Sequence, residues 1–344
     1  MTGVKAATVG RALLGLAAAG LARQALAGIS RTAGARALDR VNHRGEPVSL
    51  AAGPAFALAA SATAGAGAAV EGSPRLAAAS LVAGLGCGAV GLYDDIVGAR
   101  PDQKGDKGFR GHLAALREGR VSSGLVKIAG VGAAGLVAAA LLPTTDRRGR
   151  RRRGLGRAVD VALGAGVIAG TANLYNLLDL RPGRALKAGL IVGVPLAAGP
   201  GGAPAAGTVG AAAGLLPDDL GERVMLGDSG ANSLGALLGV ALAARTGRLG
   251  RAGLFAGLVA LTAASEKVSF TKVIERTPVL RELDALGRRP ATGAGATPPA
   301  PRRASDGAAG RVTAPGQRGA PAGETGRRAG ARPAGGGSGT GLAQ

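Results

Sequence analysis

Charge-free runs set the rhythm of this chain. Positions 47–70, 76–93, 128–145, 161–178 and 188–217 contain no Asp, Glu, Lys or Arg. About 20 such residues wound into a helix cross the hydrocarbon of a bilayer, so the pattern predicts an all-α polytopic membrane protein. The last run is broken at Gly199-Pro200-Gly201-Gly202, which predicts two short spans joined by a turn. A weaker apolar stretch between Arg11 and Arg23 has no clear cleavage site and reads as a first span rather than a signal peptide. Two short runs, 231–244 and 252–264, bring the expected count to nine spans. Between 266 and 287 apolar positions are set among charges, the pattern of an amphipathic interfacial helix, with a break at Pro278. Beyond it the chain is Gly, Pro, Ala and Arg without aromatic residues and predicts disorder. The expected organisation is therefore a membrane domain over 1–286 and a basic tail over 287–344.

Composition supports the membrane reading. The apolar residues are mainly Ala, Gly, Leu and Val, with 2% aromatics and no Trp. A soluble core would want more aromatic mass, whereas small residues let helices approach closely inside lipid. The net charge of +21 comes from arginines in loops and in the tail rather than on one folded face. Anionic lipid headgroups, not nucleic acid, are its expected partner. One cysteine, Cys87 inside an apolar run, excludes an internal disulfide and a cysteine zinc site.

Nine spans place the amino terminus outside and the tail inside, in a cell (plasma) membrane. The loops holding Asp94, Asp179 and Asp228 then share the cytoplasmic face. The arginine-rich loop at 147–153 falls outside, against the positive-inside tendency. The loops at 31–44, 100–120 and 181–187 together with the tail carry more basic residues and outweigh it.

The chemistry-bearing residues cluster at the ends of these spans. Asp94 and Asp95 close the run that ends at Tyr93, and Lys127 opens the next span. Asn173, Asn176 and Asp179 stand three and six residues apart, near one helix face. Gly227-Asp228-Ser229-Gly230 precedes the eighth span. Singly each has a plain explanation: a solvated helix end for the acid pair, a turn or cap for the Gly-Asp sequence, an interfacial position for Lys127. His43, without a second His or Cys nearby, reads as a loop residue. Four carboxylates on one membrane boundary suit Mg²⁺, which takes oxygen ligands and binds substrate phosphates.

In this order along a polytopic chain, the motifs resemble the polyprenyl-phosphate N-acetylhexosamine-1-phosphate transferase superfamily, from about position 40 to 286. The resemblance implies an Mg²⁺-dependent enzyme in cell-envelope glycan synthesis. A polyprenyl phosphate would attack a UDP-sugar and release UMP, leaving a lipid-linked diphosphate sugar. It implies Asp228 as first metal ligand with Asp95 beside it, and Asp94 and Asp95 on the lipid phosphate or its proton. Lys127 would hold the diphosphate, and Asn173, Asn176 and Asp179 the nucleotide-sugar. A homodimer is compatible with this reading. Three departures stand out: Pro182 replaces the family's second acid after Asp179, the His-rich loop after the ninth span is missing, and the tail replaces a closing span. The alternative expectations are a catalytically silent relative that binds lipid phosphate or an envelope-synthesis partner, and a small-solute transporter.

Overall fold

The computed structural model describes residues 2–100, 117, 119, 122–143, 150, 152–199 and 201–290, with side chains from residue 7 onward. The expected basic loop around Lys104, Lys107 and His112, and the expected disorder of the tail, lie outside the described residues. Of the described residues, 79% are helical.

Helix α1 (Thr2–Ser30) leads through a 3₁₀ turn at Ala33–Leu38 into a small antiparallel hairpin, β1 (Asp39–Val41) with β2 (Pro47–Ser49). Helices α2 (Ala52–Val70), α3 (Pro74–Val97), α4 (Ser123–Leu141), α5 (Gly154–Leu178), α6 (Arg184–Ala198), α7 (Ala203–Leu220), α8 (Gly227–Arg245) and α9 (Arg248–Ser265) follow. Two short helices, α10 (Phe270–Arg276) and α11 (Pro278–Ala285), complete the order. Each charge-free run thus forms a helix. The hairpin is the exception: Pro47–Ser49 is strand, not the start of a span, because Asn42 Oδ1 accepts the Arg44 and Glu46 N–H groups and folds the chain back.

Among the described residues, five helices are long and apolar enough to cross a membrane: α1 over Ala7–Ser30, then α2, α3, α4 and α5. A sixth arises if α9 and α10, bent by 92° at a short break, count as one span. The described residues therefore support an all-α membrane protein with fewer clear spans than the nine expected. Helix α6 has 15 residues, α7 ends in Pro217-Asp218-Asp219, and α8 opens with Asp228, Ser229, Asn232 and Ser233. The amphipathic segment forms as two helices, with Pro278 starting the second where the missing N–H costs nothing.

Helix α8 sits at the centre, against α2, α3, α4, α5, α6 and α7, and is buried along nearly its whole length. Small residues permit this. Gly84, Gly88 and Gly91, on one face of α3, let it lie directly on α2 and α8; a methyl at Gly91 would overlap the Asp228 carbonyl. Gly235 and Gly239 bring α8 equally close to the Thr171 and Ile168 backbone of α5. With little room and few large side chains, dispersion between backbones does the work that aromatic mass does in a soluble core.

Charges are confined to the two ends. At the end away from Asp94, Asp160 on α5 is buried at 3% exposure and pairs with Arg248 at 2.7 Å and Arg152 at 3.3 Å. There Arg11 donates to the Gly199 carbonyl at 2.8 Å and Arg251 to the Ala243 carbonyl at 2.9 Å, filling acceptors left open at helix ends.

Candidate functional site

The site forms where the C-terminal ends of α3 and α5 meet the N-terminal ends of α4 and α8. Ser122 starts α4 by accepting the Leu125 N–H, so Lys127 rises from the start of its second turn. Its Nζ lies 2.8 Å from Asp94 Oδ2 and 2.6 Å from Asp228 Oδ2. One ammonium thus bridges carboxylates from two other helices.

Asp95 has a different task. Its Oδ1 accepts the Asp228 N–H at 3.0 Å and its Oδ2 accepts the Ser229 N–H at 2.9 Å. The carboxylate covers the open N–H groups of α8 and meets the positive end of its dipole. The Ser229 hydroxyl donates to the Gly88 carbonyl at 2.9 Å and ties the same turn to α3. Gly227, at φ +59°, makes the sharp entry into α8 that a side chain would strain.

The hairpin braces this corner. Arg40 donates to the Asp95 carbonyl, and the Met225 N–H donates to the Ser49 carbonyl at 2.9 Å, setting the strand that delivers Asp228. Sequence reading saw only a turn and loop here: the strands are three residues each, and the bridge that ties Ser49 to Val224 joins positions 175 apart.

Asn173 and Asn176 stand with Lys127 around a cavity of about 160 Å³, while Asp179, expected on the same face, lines a different one. Asn173 Nδ2 donates to Thr262 Oγ1 at 3.2 Å. Asn232, on α8 one turn past Asp228, lines the same cavity and escaped the sequence reading; its i, i+4 relation to Asp228 was the available signal.

Asp179 closes α5 beside a second cavity of about 120 Å³ that His43, Arg181, Asp219 and Glu222 also line. Its Oδ2 is shut off from water and has no hydrogen-bond partner among the described residues. Burial, with the charges of Asp219, Asp228 and Asp95 nearby, pushes this carboxyl well above the ordinary range. Asp219 and Glu222 carried no role in the sequence reading; here Asp219 accepts the Gly183 N–H at 2.5 Å and Glu222 accepts from Asn42 at 2.8 Å. His43 is an exposed loop residue, held below its usual pKa by partial burial and then by Arg181.

An acid held this way should cost stability. Asp179→Asn is expected to raise the melting temperature, by the equivalent of about 1–3 kcal/mol for a buried group without a partner. Because the folded-state pKa is raised, the cost appears as the pH rises above the unfolded value, so the gain should shrink as the pH falls toward about 4. Thermal melts of both proteins from acid to neutral pH check the sign.

Among the described residues no group of three or more His, Cys, Asp or Glu is set as a metal cage. Mg²⁺ is commonly held by one or two carboxylates plus substrate phosphates rather than by an all-protein cage. The residues present fit that mode: Asp94 and Asp228 already converge on one cation, Lys127 Nζ, and Asp179 keeps a buried oxygen without a partner nearby.

A second feature adjoins the site. A groove of about 370 Å³ runs between α5, α6, α9, α10 and α11, walled by side chains such as Leu178, Ile191, Leu261 and Phe270. Arg184 and Asp284 close one end in a paired contact at 2.7 and 3.0 Å, and Lys187 donates to the Leu283 carbonyl at 2.8 Å.

Comparison with protein-family models and with curated proteins finds no match to this chain.

Proposed function

We propose that this protein is a membrane phosphosugar transferase, moving an N-acetylhexosamine 1-phosphate from a UDP-sugar to a polyprenyl phosphate with release of UMP. The observation that carries the reading is the meeting of Asp94, Asp95, Asp228 and Lys127, from three helices, at one end of an apolar bundle. Half-buried acids and a lysine gathered at a membrane boundary suit a site that binds something.

In this reading, α6, α7 and α8 complete nine spans, and the site opens to the cytoplasm. An oxygen of the lipid phosphate attacks the sugar-bearing phosphorus of the donor. The new P–O bond forms as the bond to the UMP phosphate breaks, and the electron pair leaves with UMP. Lys127 exchanges its carboxylate partners for the diphosphate and holds it as a point charge. Asp94 takes the lipid phosphate or its proton, while Asp95 keeps the start of α8 in place and so sets the position of Asp228. Asn173, Asn176 and Asp179 orient the nucleotide-sugar. Asp228, with Asp94 or Asp95 beside it, would hold Mg²⁺, which when bound supplies positive charge to the diphosphate. The apolar groove takes the polyprenyl chain, with Arg184 and Lys187 at its polar end.

Purified protein in lipid nanodiscs, with Mg²⁺, undecaprenyl phosphate and a panel of UDP-N-acetylhexosamines, tests the proposal. UMP release that requires the lipid phosphate and stops on chelation is the expected result. No release with any donor, from protein that melts cooperatively, would overturn it in favour of a silent lipid-phosphate binder.

A further inference from the structure

Arg75 carries a charge that its surroundings leave unbalanced. It stands in the first turn of α3, where Pro74 opens the helix and the Ser73 side chain at the N-cap makes no capping bond. A helix start is the positive end of its dipole and disfavours a cation. The residue is exposed, and its guanidinium has no ion pair or hydrogen bond among the described residues. The N–H groups of Arg75 and Leu76 belong to the same turn, which has no carbonyl of its own to offer them.

Arg75 and Leu76 line a cavity of about 450 Å³ at this end of the bundle, roughly 30 Å along α3 from Asp94. Its other walls come from the turn between α2 and α3, from Pro143 after α4, from Gly201 between α6 and α7, and from Arg245 at the end of α8. Arg245 brings a second guanidinium. It donates to the Gly199 carbonyl at 3.2 Å and has no carboxylate partner among the described residues. Its place in the last turn of α8 suits the dipole of that helix, so helix stability accounts for Arg245 but not for Arg75.

No Asp or Glu is among the described residues that line the cavity. Glu71, the nearest acid in sequence, is held by Arg11 at 2.8 Å. Gly72 and Gly201, at φ +75° and +61°, have no neighbouring atom within 4 Å of where a Cβ would stand, so the backbone of both turns is open. Two guanidinium groups, a serine hydroxyl and helix-start N–H groups around one opening are complementary to phosphate oxygens. The end of an apolar bundle is also the level at which lipid headgroups lie.

We propose that this cavity is a phosphate-binding site, remote from the acid cluster, with Arg75 and Arg245 as its cations. The site stands on its own residues and does not depend on the transferase reading. The headgroup of an anionic phospholipid and free inorganic phosphate share the required chemistry, and their affinities distinguish them.

Titration calorimetry on the full-length protein in neutral maltoside micelles tests the site, with dihexanoyl phosphatidylglycerol and inorganic phosphate as separate probes. Saturable binding of at least one is expected. Phosphatidylglycerol bound more tightly than phosphate assigns the headgroup, and the reverse order assigns the free anion. Arg75→Gln, which breaks no bond to another described residue, should weaken binding about 10-fold or more and leave the melting temperature unchanged. Arg36→Gln removes an equally exposed arginine in the 3₁₀ turn near the other end of α3 and should leave binding intact. A wild-type protein that binds neither probe overturns the proposal. So does an affinity that Arg75→Gln leaves unchanged, or that Arg36→Gln lowers as much.

Discussion

Asp228→Asn is expected to lower UMP release by about 10³-fold, the range seen when one charged or proton-handling group is removed from a preorganised site. The substitution keeps the shape of the side chain and leaves its backbone N–H with Asp95, so α8 should keep its position. What changes is the charge facing Lys127, which now pairs with Asp94 alone. Binding of UDP-sugar should weaken less than turnover, since the asparagines and Asp179 are untouched. A single-turnover assay beside equilibrium binding separates these effects. Asp228→Asn protein with undiminished turnover would remove the central assignment.

The second large effect is expected at a residue that has no side chain. Gly91→Ala adds one methyl where α3 touches the Asp228 carbonyl and the Ser229 nitrogen, and both are backbone atoms that no rotamer change can move. Overpacking costs about 1–3 kcal/mol where the core can adjust, and here the relief must come from shifting α3 against α8. The variant should therefore lose several degrees of melting temperature and most of its activity together. Gly132→Ala, at a position on α4 with open space around it, is the matched control and should change neither. Loss of stability without loss of turnover in Gly91→Ala would show that the start of α8 does not fix the site.

The helices were readable because lipid-facing and buried helices both exclude charge, so the charge-free runs at 76–93 and 161–178 fall within α3 and α5. Their limits were less readable. Asp160 lies just outside the run at 161–178, yet it is buried in α5 because arginines from the preceding loop and from α9 neutralise it. The nine-span count rested on treating every run alike, whereas α8 is apolar by burial inside the bundle rather than by contact with lipid. At the site, motif order placed Asp94, Lys127 and Asp228 at one end, and the structure adds that a single ammonium joins them. The separate task of Asp95 was not legible, because two adjacent aspartates look alike until the N–H groups of α8 select one. Nor was Asn232, since a lone asparagine in an apolar helix shows its need for a partner only once its neighbours are known.

The contacts of the hairpin have a consequence for assembly. Arg44 donates to the Arg289 and Pro290 carbonyls at 2.9 Å, and Arg289 pairs with Glu46 at 2.5 Å. These partners are 243 to 246 positions apart. At roughly 5–20 residues per second, synthesis of the intervening chain takes about 12–50 s. During that interval the membrane helices can pack while the acid-lined corner at Asp179 and Glu222 still lacks its last clasp. Closure of the corner is thus a late event in the birth of each molecule, set by the ribosome's pace rather than by the speed of helix packing.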